Sequence, residues 1–275
     1  MSIQLIALDL DGTLLNSSKE ITDYTIEVLN QAAKKGIYIV PSTGRSKQCI
    51  PKCVANLPFI RYALTLNGAL VVDLKTDKII HEYVFTGEEA IFLWDYIQKY
   101  QALPDCDLNG ELYMERKVFE RLPGFINDPN RVEIMKQTRK EIEDIRKVLL
   151  ESNVKSAKMN LLFADMNERM RARADLESLP FVEVSSSLDR NLELNRKGGN
   201  KGNGLKALAK YLNLNINQVM ALGDSDNDIT MIETAGLGIA MANAAPEIIK
   251  VADGVTDSND EDGVAHAIER WVLNT

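Results

Sequence analysis

The sequence predicts an α/β protein: a doubly wound, Rossmann-like parallel-sheet core carrying an inserted α+β cap domain. Three observations lead there. Apolar strand-like runs alternate with amphipathic helical stretches through roughly the first eighty residues. The same alternation resumes at Lys201 and continues to the end of the chain. Between the two lies a stretch of hairpins and helices without that alternation. The expected division is a core of 1–84 and 196–275, interrupted by a cap of 85–195.

The elements follow in order. Ile3–Leu8 is almost wholly apolar and reads as a buried strand. Thr22–Lys35 has helical periodicity and stops at Gly36, the usual left-handed terminator. "GIYIVPSTGR" is a second buried strand running into a Ser-Thr-Gly turn. Residues 46–56 suit a helix, and "RYALTLNGALVV" contains a third strand. The run "ALVVDLKTDKIIHEYVF" then reads as a hairpin around Lys75, Thr76 and Asp77.

In the cap region, Thr86 and Glu89 have capping-box spacing, and Asn109-Gly110 favours a tight hairpin turn. Residues 139–152 and 165–178 read as helices. "VKSAKMNLLF", "FVEVSSS" and "NLELN" read as strands. Beyond Lys201, "KGNGLKALAKYL" begins a helix, "QVMALG" and "LGIAM" are strands, and "DNDITMIETAG" is a short helix closed by Gly236. Helices near 245–251 and 261–273 complete the pattern.

Composition narrows the function. Of 275 residues, 45% are hydrophobic and 26% charged, and the formal net charge is −8. No run of Lys and Arg occurs, which argues against nucleic acid or an anionic membrane as partner. There is no apolar run of membrane-span length, and no basic segment followed by an apolar signal region, so a cytoplasmic location is expected. The three cysteines, Cys49, Cys53 and Cys106, make neither a disulfide framework nor a four-ligand zinc site. Cys49 and Cys53 are spaced as reduced thiols on one helix turn. The two histidines, His81 and His266, lack partners at catalytic spacing.

Chemistry gathers after the apolar strands, where open parallel sheets bind ligands. "DLDGT" follows the first strand, "STGR" the second, "LNGA" the third and "GDSDND" a late one, while Lys201 opens a helix. Two like charges about 4 Å apart repel by roughly 4 kcal/mol at an intermediate effective dielectric. Asp9 and Asp11, with Asp224 and Asp228 added, therefore call for a cation. Hard oxygen donors without His or Cys indicate Mg²⁺.

Other ligand motifs fit poorly. "DSDNDITMIETA" has Ile229 where a calcium loop needs Gly and Ala235 where it needs Glu. "GGNKGNGLK" lacks the Gly-Lys-Ser/Thr ending of a phosphate-binding P-loop, and no G-x-G-x-x-G follows the first strand.

The reading that survives is phosphoryl transfer through a covalent aspartate. Asp9 stays ionised to attack phosphorus, and Asp11 handles the proton of the leaving group and then of water. Thr43 and nearby amides can bond the transferring group, and Lys201 can neutralise its charge. Plainer roles exist for each: Thr43 as a helix cap, Arg45 as a solvated charge, Asn67 as a turn residue, Asp228 as a helix-start acid.

"DLDGTLLN", "STGR", "NKGNGLKAL" and "GDSDNDITMIETAGLGIAMANA", in this order, resemble the four motifs of the haloacid dehalogenase (HAD) superfamily. The spacing is similar to its Cof-type branch with a type IIB cap, over nearly the whole chain. The resemblance implies roles by position. Asp9 is nucleophile and Mg²⁺ ligand, and Asp11 is general acid/base with its backbone carbonyl on the metal. Thr43 and Gly44 bind phosphoryl oxygens, and Lys201 stabilises the aspartyl-phosphate. Asp224 ligates Mg²⁺, Asp228 lies in or next to its shell, and Asn227 sits near the phosphate. Arg45 and Asn67 lie at the site edge.

The expected function is a Mg²⁺-dependent phosphatase for small phosphorylated metabolites, sugar phosphates foremost. A phosphomutase of the same fold and a non-catalytic phosphosugar-binding protein are the alternatives, the latter disfavoured because Asp9, Asp11, Lys201 and Asp224 are all present. Missing membrane spans exclude an ion pump. The cap is expected to govern substrate choice, with Glu115, Lys158 and Asn160 as polar groups on its strands.

Overall fold

The computed structural model describes residues 2–126 and 128–274. The strands, in chain order, begin with β1 (Leu5–Leu8), β2 (Tyr38–Pro41), β3 (Tyr62–Thr65), β4 (Leu70–Asp73) and β5 (Lys78–Glu82). Next come β6 (Ala102–Leu108), β7 (Glu111–Glu115), β8 (Lys140–Ile142), β9 (Lys158–Phe163), β10 (Val182–Ser185) and β11 (Asn191–Arg196). The last are β12 (Val219–Gly223), β13 (Leu237–Ala240) and β14 (Gly254–Val255). The chain divides into two compact units, the second comprising Tyr83–Gly199 together with Ser46–Cys49.

The first unit is built on a parallel sheet of order β14-β13-β12-β1-β2. Strand β1 lies between β12 and β2 and is buried along its length. Side chains alternate along it: Leu5 and Ala7 pack with Leu205, Leu208, Met231, Ile232 and Ile248 from the helices Lys201–Tyr211, Ile229–Thr234 and Pro246–Val251. Ile6 and Leu8 point to the opposite face and are equally buried. Helix Asp23–Lys34 packs on helix Gly263–Ile268. It starts where the Thr22 hydroxyl caps the Thr25 amide and ends ahead of Gly36 at φ +84°. Strands β3, β4 and β5 form an antiparallel sheet, and single parallel bridges tie Ile60 to Ile39 and Leu64 to Ser42 of the β2 segment.

The second unit is a six-stranded sheet of order β10-β11-β9-β6-β7-β8, antiparallel except for the β7–β8 pair. One face is apolar: Cys106, Met159, Leu161, Leu192 and Leu194 pack with Leu93, Trp94 and Ile97 of helix Gly87–Ile97 and Leu176 of helix Met166–Glu177. Several alternate positions are polar and buried and bond to one another, while Leu103, Met114 and Leu162 join a smaller apolar cluster. Lys158 pairs with Glu193, Asn160 with Asp105, and Asp105 with Arg139. Glu115 accepts from the Ile145 amide and pairs with Lys117.

Three expected elements come out differently. Residues 46–56 hold a single turn, Lys47–Cys49, and a four-residue helix, Lys52–Ala55, because Pro51 lacks the N–H that would join them. Cys49 and Cys53 therefore do not share a helix. The third strand is two strands, β3 and β4, folded back at Leu66–Gly68. The stretch 139–152 begins as β8, an edge strand paired with β7, and only Ile145–Leu149 is helical. Among the described residues no helix is long and apolar enough to cross a membrane.

Candidate active site

The register sets Leu8 beside Leu222 and Pro41, so the segments following β1, β12 and β2 emerge together. Asp9 continues the ladder by one bond, its amide donating to Leu222 O at 3.0 Å. The chain then turns back, with Leu14 N–H bonding Asp9 O and Leu15 N–H bonding Leu10 O. Gly12, at φ +91°, makes that turn beside Asp224, where a Cβ would stand 2.5 Å from Oδ2. Glycine is thus required both for backbone conformation and for close approach. After β2, Ser42 N–H bonds Leu8 O and Thr43 N–H bonds Leu64 O, which places buried Thr43 beside β1.

Lys201 is wholly buried and its Nζ lies 2.6 Å from both Asp9 Oδ1 and Asp228 Oδ1. A cation at the first position of a helix opposes the helix dipole. Here two carboxylates offset that cost. Burial alone would lower the Lys201 pKa, but the charges of Asp228 and Asp9 hold it above its ordinary value. Asp228 Oδ2 accepts from the amides of Asp224 and Ser225, both at 3.0 Å. Asp224 in turn accepts from Thr13 Oγ1 at 2.7 Å and Ser225 Oγ at 3.0 Å.

These acids are under strain of charge. Burial pushes the Asp9 carboxyl well up; Lys201 pulls it down, while Asp228 and Asp224 push it further up. Burial and the charge of Asp228 raise Asp224 to about 6, against the hydrogen bonds of Thr13 and Ser225. Three carboxylates against one ammonium leave two negative charges, which a divalent cation would balance. Oxygens of Asp9, Asp224 and Asp228 all lie within 4.8 Å of one another. An all-carboxylate donor set of this size fits Mg²⁺. Asp228 spends its oxygens on Lys201 and two amides, so Asp9 and Asp224 are the better ligands.

Asp11 stands apart from that cluster. Arg45 grips it at two points, Nε to Oδ2 at 2.7 Å and Nη2 to Oδ1 at 2.8 Å, and Lys19 Nζ adds a third contact at 2.9 Å. Burial pushes Asp11 up, but the hydrogen bonds and charge of Arg45, with those of Lys19, outweigh it and bring Asp11 to about 2. It is therefore ionised at neutral pH. Arg45 N–H also donates to Thr43 Oγ1, joining the two residues of the Ser-Thr-Gly-Arg turn. Asn227 Nδ2 donates to Asn67 Oδ1 at 3.1 Å.

So Asp9, Lys201, Asp224 and Asp228 form one constellation, Asp11 and Arg45 a second, and Asn67 and Asn227 a third, with Thr43 and Gly44 on the turn that leads to Arg45. Sequence reasoning passed over Thr13, Ser225 and Lys19. Thr13 and Ser225 lie inside the quoted motifs, Ser225 next to Asp224 and Thr13 two residues after Asp11, and those hydroxyls were the available signal. Lys19 carries no such signal; it reaches Asp11 from a turn in which its own φ is +63°.

A family model described as haloacid dehalogenase-like hydrolase matches residues 6–268. The chain is 32% identical over 274 residues to 5-amino-6-(5-phospho-D-ribitylamino)uracil phosphatase YcsE of Bacillus subtilis, covering 99% of this chain and 97% of that one. It is 30% identical over 284 residues to phosphatase YwpJ of the same organism, covering 97% and 99%. Among solved structures, a haloacid dehalogenase-like hydrolase from B. subtilis superposes with a TM-score of 0.86 at 27% identity, over 98% of this chain and 100% of that one.

Proposed function

The chain belongs to the haloacid dehalogenase-like hydrolases and is a phosphatase, and on that premise we propose that it hydrolyses small phosphorylated metabolites, sugar phosphates foremost, through a phosphorylated Asp9. The observation that carries this reading is Lys201, buried between Asp9 and Asp228 beside Asp224. Such a group of charges has little use in a core except to receive an anion and a cation together.

Asp9 supplies the attacking oxygen. As its bond to phosphorus forms, the bond to the leaving oxygen breaks, and that oxygen takes a proton from Asp11. Water then attacks phosphorus, returns a proton to Asp11 and frees Asp9. Lys201 neutralises the charge gathering on the phosphoryl oxygens, and Thr43 and Gly44 offer them hydrogen bonds. Mg²⁺, held by Asp9 and Asp224, would further neutralise phosphoryl charge and help keep Asp9 ionised. Asp228 positions Lys201 and the Asp224 turn.

Asp11 rests ionised, which suits it to take a proton from water. To act as acid it must first be released from Arg45 and Lys19 and take up a proton from solvent, and an arriving phosphate dianion competes for those same cations. The sugar-phosphate assignment is supported by the relative named for a phosphorylated ribityl compound. A cytoplasmic location accords with such substrates.

The test is phosphate release from a panel of phosphorylated sugars, nucleotides and cofactors, in Mg²⁺ and in EDTA. Release should need Mg²⁺, be fastest with sugar phosphates and fall at least about a thousandfold in Asp9→Asn. An isomerised phosphosugar without free phosphate would move the reading to a mutase. Unchanged turnover in EDTA would contradict the metal assignment.

A further inference from the structure

Strand β13 lies beside β12, and the chain that leaves it, residues 241–245, bonds to the segments that follow two other strands. Met241 N–H donates to Gly223 O at 3.1 Å, and Ala245 N–H to Asp224 O at 3.0 Å. Between them, Asn243 Nδ2 donates to Gly12 O at 2.8 Å and its Oδ1 accepts from the Asn259 amide at 3.0 Å. A backbone carbonyl only accepts and a backbone N–H only donates, so these two partners fix which end of the Asn243 amide is oxygen. Asn259 Nδ2 completes the hold with a bond to Leu15 O at 2.9 Å.

This strap ties together the two turns that carry the acids. One runs from Asp9 to Leu15 after β1, and the other begins at Asp224 after β12. They are closely apposed, because Gly12 leaves no room for a Cβ beside Asp224 and Thr13 Oγ1 donates to Asp224 Oδ1 at 2.7 Å. The like charges of Asp9 and Asp224 push the same turns apart. Strand pairing holds the first turn only as far as the Asp9 amide, bonded to Leu222 O. Beyond that point the Thr13 hydroxyl and the strap oppose the repulsion.

We propose that Asn243 is a positioning residue for the cation site: by fastening Gly12 O to the segment that also holds Asp224 O, it keeps the Asp9 and Asp224 carboxylates together before a divalent cation arrives. This rests on the Mg²⁺ assignment made with the phosphatase reading. Asn243 acts through the backbone of the two turns. A site assembled beforehand binds its ion more tightly, because none of the binding free energy goes into drawing the acids together. Groups that orient metal ligands without holding the metal commonly change its affinity by about tenfold or more.

Asn243 is exposed, so replacing it leaves the packed core alone. Titration calorimetry with MgCl₂, without substrate, reads the site directly. Asn243→Ala should weaken Mg²⁺ binding at least about fivefold, while the melting temperature in EDTA stays within about 2 °C of the unmodified protein. Asn243→Asp keeps the acceptor for Asn259 and loses only the donor to Gly12. An added acid would by itself strengthen cation binding, so weakening like that of Asn243→Ala assigns the effect to the Gly12 bond. In both variants excess Mg²⁺ should restore turnover, with KM for p-nitrophenyl phosphate within about twofold. Unchanged Mg²⁺ affinity in Asn243→Ala, or an Asn243→Asp that binds like the unmodified protein, overturns the proposal. So does a turnover loss that excess Mg²⁺ does not restore, or a larger fall in melting temperature in EDTA, which would mark Asn243 as a support of the fold. Absence of Mg²⁺ binding by the unmodified protein overturns the metal assignment and this inference with it. Mg²⁺ binding that weakens as stated, but without turnover in any form of the protein, overturns the phosphatase reading and upholds the strap.

Discussion

Asp9 and Asp11 are two residues apart and experience opposite fields. Burial and two neighbouring carboxylates push Asp9 up, whereas Arg45 and Lys19 overcome burial at Asp11 and bring it to about 2. The lowered value means that folding favours the ionised form of Asp11. Its contribution to stability is present above the unfolded value near ~3.9 and is lost as pH falls through about 2. Arg45→Met should therefore return the Asp11 midpoint most of the way to that ordinary value, as read from its carboxyl carbon resonance. A midpoint that stays near 2 would mean that Lys19 alone holds it. The sequence shows why two adjacent acids need a cation, but not that one of them is turned to Arg45. Nor does it show Lys19, which reaches Asp11 from a left-handed turn with no recognisable pattern around it.

At the scale of elements, the site is the meeting of three strand ends and one helix start. Strands β1 and β12 are parallel neighbours, so acids placed just after each are brought together by the sheet alone. Lys201 enters from the N-terminus of a helix whose Leu205 and Leu208 are buried in the core, so its position is set by packing. Lys201→Met keeps the volume and removes the charge. It should abolish turnover and destabilise the fold by about 3 kcal/mol, because Asp9 and Asp228 are left as uncompensated buried acids. Urea unfolding measures this, and an unchanged midpoint would show that protons on the two acids replace the lysine at little cost. Elements with local causes are legible from sequence: β1 as an apolar run, the helix Asp23–Lys34 capped by Thr22, and the Asn109-Gly110 hairpin. Two others are not. Strand β8 exists because β7 offers it an edge, and the fold-back at Leu66–Gly68 exists because Arg45, Thr43 and Asn200 hold it. Neither cause is local.

At the scale of the molecule, a chain of net charge −8 gathers three of its acids around one buried lysine, a cluster that disfavours the ion-free state. Asp224, raised to about 6, shows the sign. Between its unfolded and folded values the native state binds the extra proton, so stability declines as pH rises through that window. Mg²⁺ should reverse this, raising the melting temperature most above pH 6 and progressively less below it, as protons compete for the same oxygens. Calorimetry across that range in Mg²⁺ and EDTA would show the crossover; equal stabilisation at pH 5 and pH 8 would place the ion elsewhere. The central claim, however, concerns a covalent bond at Asp9. Acid-quenching during turnover, reduction with borohydride and peptide mass analysis reads it directly, since an aspartyl-phosphate is reduced to homoserine. The account predicts that conversion at position 9 alone and its absence in Asp9→Asn. Steady phosphate release with no modified carboxylate, or with the modification at Asp11 or Asp224, would contradict it.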